Sequence, residues 1–255
     1  MAYGPCGYVS RMPEIRAVLF DLDDTLHDDT YAFTTAAQEV AAEVAAEHGI
    51  DALALKRAYV AEAEGFWHRL TASELQTKLS HLRATLWNNA LRTVGLNDRH
   101  LAERSAANYN IYRKRHFALF PGALDLLREL KNAGKKLALL TNGVSETHRE
   151  KIALLQIAEY FDAIFLADEV GMVKPDPLLF AHACTKLRSS PSESAMVGDR
   201  YERDIAGALS AGLFTIWVNV RNESVPRGAR PPHVTASSIT QVAAYLTGEA
   251  ARHGH

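Results

Sequence analysis

Five short apolar runs, separated by helix-forming segments and in most cases ending on polar residues, constrain this chain more than any other feature. The first, Ala17-Val-Leu-Phe20, has β-propensity and no polar alternation, which is the pattern of a strand buried on both faces. Such strands belong to parallel sheets, whose ligands bind in the crevice beyond the carboxyl ends of the strands. Asp21-Leu-Asp23 stands at that end. The other runs are Lys136-Leu-Ala-Leu-Leu140 before Thr141-Asn-Gly143, Ala163-Ile-Phe-Leu166, Ala195-Met-Val197 before Gly198-Asp199, and Phe214-Thr-Ile-Trp-Val218. Helical patterns between them predict an α/β fold: a Rossmann-like, doubly wound parallel sheet with right-handed crossovers.

One connection is too long for such a crossover, which needs only about 30 residues. From Asp28 to His116 the chain is rich in helix formers and lacks strand signals. Tyr31 to His48 ends at Gly49, Asp51 can cap a second helix toward Leu70, Thr71-Ala-Ser-Glu74 has capping-box spacing for a third ending near Gly95, and Asp98 can cap a fourth. The predicted organisation is a loose leader over residues 1–12, a catalytic core from 13–27 and 117–255, and an inserted α-helical cap over 28–116.

Composition narrows the class. A formal charge of −2 gives no reason to expect nucleic acid or an anionic membrane surface as partner. Cys6 and Cys184 are too few for a disulfide framework or a thiolate metal site. No secretory pattern is visible at the N-terminus, so a cytoplasmic enzyme acting on a small molecule is expected.

The polar residues past the strands are Asp21, Asp23, Thr141, Asn142, Lys174, Asp199 and Asp204. A parallel sheet would bring them to one crevice. With a phosphate monoester there, Asp21 can attack phosphorus while Asp23 protonates the leaving alkoxide and then activates water. Thr141 and a loop amide near Asn142 can bind phosphoryl oxygens, and Lys174 supplies a compact positive charge. Asp199 can complete a cation's coordination, with Asp204 beside it. Four carboxylates against one lysine leave the site near −3, which calls for Mg²⁺ before a phosphate dianion can enter.

Asp21-Leu-Asp-Asp-Thr25, Thr141-Asn142, Lys174-Pro175 and Gly198-Asp199 through Asp204 resemble the four motifs of the haloacid dehalogenase superfamily. The resemblance implies Asp21 as nucleophile, Asp23 as acid/base, Thr141, Asn142 and Lys174 at the phosphate, and Mg²⁺ held by Asp21, the Asp23 carbonyl and Asp199. Asp204 would stand behind the metal. The stretch from Asp204 to Val218 looks most like the phosphatase branch. Dehalogenase, phosphonate hydrolase and phosphomutase are alternatives within the superfamily. Outside it stand a phospho-accepting receiver module and a metal-binding regulator. Chloride needs no proton on leaving, so Asp23 favours phosphoester cleavage. Substrate contacts in the cap are expected among Trp67, His68, Arg69, Arg113 and Arg115, suited to a second anionic group.

Overall fold

β1 (Ala17–Phe20) lies at the centre of a six-stranded sheet with β2 (Lys136–Thr141) on one side and β4 (Ser194–Gly198) on the other. The strand order is β3-β2-β1-β4-β5-β6, with β3 (Ala163–Leu166), β5 (Phe214–Val218) and β6 (Val234–Ala236), and every pairing is parallel. The computed structural model describes residues 14–69, 79–143 and 145–247, except for the side chains of 67–69, 79 and 80. Alternation along the strands divides the core: Val18, Phe20, Leu137 and Leu139 pack on one face, Ala17, Leu19, Ala138 and Leu140 on the other. Register then decides the site. Phe20 pairs with Leu139 and Val197, so Asp21, Thr141 and Asp199 emerge together just beyond the paired residues. Because the chain returns across β1 between β3 and β4, this is where the strand order switches and a crevice must open.

Helices α1 (Asp29–His48), α2 (Ala52–Arg69), α3 (Leu79–Thr93) and α4 (Arg99–Arg115) follow β1 and pack on one another around their own apolar cluster. Tyr59, Trp87 and Tyr109 form its centre, with Tyr59 stacked on Trp87 at 4.0 Å. Asp98 caps α4 as its sequence suggests, accepting from the His100 and Leu101 amides. The capping-box stretch Thr71–Glu74 lies outside the described residues. The chain enters and leaves the helical unit side by side: the Asp28 amide donates to Ala118 O and the Phe120 amide to Leu26 O, at 3.1 and 2.9 Å.

The remaining helices are α5 (Ala123–Asn132), α6 (Ser145–Leu154), α7 (Ala167–Val170), α8 (Pro177–Lys186), α9 (Ala206–Ser210) and α10 (Val242–Leu246). A π-helical turn, Tyr201–Ile205, precedes α9 where the sequence suggests a continuous helix from Arg203. Its wider bore turns Asp204 back under β4. Among the described residues, no helix is long and apolar enough to cross a membrane.

Candidate active site

Lys174 organises the floor of the crevice. Its ammonium donates to Asp21 Oδ1 at 2.5 Å and Asp204 Oδ1 at 2.6 Å, and all three side chains are buried. The other Asp204 oxygen accepts from the Arg200 amide at 2.9 Å, so this carboxylate is held at both ends. Gly198 makes the arrangement possible: a Cβ there would sit 2.4 Å from Asp204 Cγ. Asn142, at the crevice, grips the Lys174 backbone, accepting from its amide at 2.8 Å and donating to its carbonyl at 3.0 Å. The Thr141 hydroxyl accepts from the Gly143 amide at 3.1 Å.

Asp199 stands beside Asp21. Its backbone carbonyl accepts from Trp217 Nε1 at 2.8 Å, and its carboxylate is paired with Arg221 and, at 3.3 Å, with Arg200. Thr25 lies between the two acids, 3.3 Å from Asp21 Oδ2 and 3.5 Å from Asp199 Oδ1. Oxygens of Asp21, Asp199 and Asp204 lie within 4.8 Å of one another, a hard all-oxygen set that suits Mg²⁺. Burial, with Asp204 adding to it, pushes Asp199 up to about 7 despite its arginine partners. Burial likewise raises Asp21 well above the usual carboxylate range despite Lys174, with Asp204, Asp199 and Asp23 adding to the rise. Lys174 is itself raised, since Asp204 and Asp21 outweigh its own burial.

Asp23 occupies a separate electrostatic compartment. His148 Nε2 lies 3.0 Å from its Oδ2, and Lys151 Nζ donates to its Oδ1 at 2.6 Å. Burial and Asp29 would raise this carboxyl, but Lys151 and His148 together hold it below the ordinary range. Lys151, fully buried on α6, also donates to Asp29 Oδ1 at 2.8 Å. Arg113 of α4 clasps both Asp29 oxygens at 2.6 and 2.8 Å. Asp23 is thereby wired through Lys151 and Asp29 to the helical unit. Gly143 admits His148 to this group, because a Cβ would fall 2.0 Å from its ring.

These partners amend the charge count. Asp21, Asp23, Asp24, Asp29, Asp199 and Asp204 face Lys151, Lys174, Arg113, Arg200 and Arg221, which leaves the neighbourhood near −1 rather than −3. The case for a cation therefore rests on the crowding of Asp21, Asp199 and Asp204, not on a bulk excess of charge.

The expected substrate contacts divide differently. Arg113 lines the crevice but is engaged by Asp29, so its first task is structural. Arg115 is exposed, lies off the crevice and stacks on Tyr112 at 4.7 Å. The side chains of Trp67, His68 and Arg69, at the end of α2, lie outside the described residues. Sequence reasoning missed His148 and Lys151, although charged residues three apart on α6, on the face that also carries buried Ile152, were a signal. It also missed Asp29, Arg221 and, on the helical wall, Arg83.

The family model for haloacid dehalogenase-like hydrolases matches residues 15–212. The chain belongs to that family, among its phosphatases. It is 35% identical over 251 residues to N-acylneuraminate-9-phosphatase of Homo sapiens, covering 92% of this chain and 95% of that one. It is 31% identical over 247 residues to phosphoserine phosphatase of Thermus thermophilus, covering 89% and 95%. Among solved structures, the putative hydrolase YfnB of Bacillus subtilis shares the fold with a TM-score of 0.74 at 23% identity, covering 92% of this chain and 99% of that one.

Proposed function

We propose that this chain is a cytoplasmic, Mg²⁺-dependent phosphatase that hydrolyses a small phosphorylated metabolite through an aspartyl-phosphate, with residues 28–116 acting as a cap over the core. The observation that carries the reading is the separation of two carboxylates on one loop. Asp21 lies against Lys174 and the Asp199–Asp204 cluster, while Asp23 is paired with His148 and Lys151. Neighbouring acids in opposed environments can take different roles in one reaction.

Asp21 attacks phosphorus in line, and the bond from phosphorus to the ester oxygen breaks. A proton brought in by the phosphate ester in its monoanionic form passes through Asp23 to the departing alkoxide, since Lys151 and His148 keep the free carboxyl ionised. Ionised Asp23, the form that Lys151 and His148 favour, next takes a proton from water as that water attacks the acyl phosphate. The bond from phosphorus to Asp21 breaks and inorganic phosphate leaves. Lys174 and the Thr141 hydroxyl bind phosphoryl oxygens, and Asn142 acts by fixing the Lys174 backbone. Mg²⁺, held by Asp21, Asp199 and the Asp23 carbonyl, would neutralise charge on the phosphoryl oxygens and keep Asp21 ionised. Asp204, with both oxygens already engaged, anchors Lys174 and would add its negative charge to the group that holds a cation.

The relatives' names, N-acylneuraminate-9-phosphatase and phosphoserine phosphatase, support a substrate among small organic phosphates. A Schiff-base phosphonate hydrolase is disfavoured because no described lysine of the helical unit lines the crevice, and Lys114 pairs with Glu150 at 2.7 Å. The test is phosphate release from p-nitrophenyl phosphate and a metabolite panel, with Mg²⁺ and after EDTA. Undiminished turnover in EDTA would remove the metal from this reading, and no release from any ester would remove the reading itself.

A further inference from the structure

The crevice encloses about 570 Å³, the share of roughly nineteen liquid waters, so a phosphoryl group fills only its floor. The opposite wall belongs to the helical unit. Phe33, Leu82 and Leu86 give it apolar surface, and Tyr59 and Tyr109 add phenol groups. Exposed Glu64 also lines it, and Arg83, half-buried on α3, is a cation of this wall with no carboxylate partner among the described residues. It donates to Asn110 Oδ1, a neutral amide, and its guanidinium lies 5.8 Å from the Tyr109 ring centre.

No described carboxylate lies within ion-pair distance of Arg83, whereas Arg113 nearby is clasped bidentately by Asp29. Burial and the repulsion from Arg113 both pull the Arg83 pKa down, as expected for a cation that lacks a counterion. A guanidinium in a partly desolvated wall, with neutral hydrogen-bonding neighbours, is complementary to a planar monoanion that takes two parallel hydrogen bonds. A second phosphate would bring up to two charges against this one guanidinium.

We propose that Arg83 is the centre of a carboxylate-binding subsite, and that the substrate is a phosphomonoester whose leaving group carries a carboxylate across an apolar spacer. The assignment rests on the phosphatase reading and deepens it. Phosphate sits on the Lys174 floor, the carbon skeleton lies against Phe33, Leu82 and Leu86, and the carboxylate reaches the Arg83 fork. Both ends of the substrate are then held, which selects acids over neutral esters with the same phosphate.

The experiment compares matched esters in the full chain with Mg²⁺: phosphoserine against phosphoethanolamine, 3-phosphoglycerate against glycerol 3-phosphate, and fructose 1,6-bisphosphate against fructose 6-phosphate. Wild type should prefer the acidic member of at least one carboxylate pair. Arg83→Met should reduce kcat/KM for that acid about 10- to 100-fold more than for its neutral partner, the range of a lost charge-assisted bond. Arg83→Lys, which keeps the charge without the fork, should restore part of the preference. An unchanged ratio in an active Arg83→Met enzyme overturns the subsite while leaving the phosphatase intact. Preference for the bisphosphate, lost in Arg83→Met, replaces carboxylate by phosphate and also overturns it. Should Arg83→Met not fold, a wild type without acid preference overturns it equally. Release from no ester, p-nitrophenyl phosphate included, instead fails the phosphatase reading beneath it.

Discussion

The two walls of the crevice are built on opposite principles. On the core side, the charges of Asp21, Asp199, Asp204 and Lys174 are answered at hydrogen-bond or ion-pair distance, by groups that strand register delivers together. On the helical side the surface is largely aromatic and aliphatic, with exposed Glu64 at it and Arg83 lacking a carboxylate partner among the described residues. A saturated polar network is rigid and tolerates few changes. A largely apolar wall with few fixed charge pairs costs little to alter and can change its ligand by a few substitutions. On the proposed function, chemistry belongs to the core wall and choice of leaving group to the helical wall.

The largest effect should come from the floor. Asp21→Asn should lower turnover by about 10⁴-fold or more on every ester, with no phosphoenzyme trapped by acid quench, as for loss of any nucleophile. Selective loss on some substrates would blur the division between the walls. Asp23→Asn should slow alkyl phosphates by roughly 10² to 10⁴-fold. p-Nitrophenyl phosphate, whose leaving group needs less protonation, should suffer less, and equal slowing would move the acid role elsewhere. Third comes the metal. Because Asp199 titrates near 7 without a cation, it is protonated below that pH and must release a proton to bind one. Mg²⁺ affinity, read by calorimetry, should therefore rise with pH by about tenfold per unit for each proton displaced, with the share due to Asp199 flattening above about 7. A pH-independent affinity would exclude Asp199 as ligand.

Lys151→Met joins the two walls in one measurement. Removing the ammonium leaves burial and Asp29 to raise the Asp23 carboxyl, so the limb of the pH–rate profile due to Asp23 should move to higher pH. Stability should fall by about 2–3 kcal/mol, less than for a wholly buried pair because Arg113 still holds Asp29. A lower Tm with an unmoved limb would make Lys151 purely structural. Smallest of all, Arg115→Ala should change no substrate ratio more than about twofold, since an exposed cation stacked on Tyr112 contributes little. A larger change would place Arg115 back among the selecting residues.

The fold was readable because apolar runs of the right length admit few arrangements. The order from Ala17 to Val218, the inserted helices and the Asp98 cap all follow from local pattern. Asp21, Thr141 and Asp199 were visible as a set because a parallel register must carry consecutive strand ends to one edge. The helical residues lack such a constraint. Arg83, Arg113 and Arg115 look alike in sequence, and periodicity says which residues share a helix face without saying what that face meets. Tertiary packing separates them, into one facing the cavity, one tied to Asp29 and one in solvent. Lys151 was hidden for a related reason. A lysine on a ten-residue helix reads as solvated until Asp23 and Asp29 are brought over it from elsewhere in the chain.

The paired crossing at Leu26–Asp28 and Ala118–Phe120 has an evolutionary consequence. Since the two crossings are hydrogen-bonded to each other, the sheet experiences the insert as a short turn, whatever its length. Insertions succeed where chain ends already meet at a surface. A lineage can therefore lengthen, shorten or exchange the segment between these two points while Phe20 keeps its register with Leu139 and Val197. New specificities can then be acquired wholesale, as modules grafted onto an unchanged reaction floor, rather than by reworking the strand ends one residue at a time.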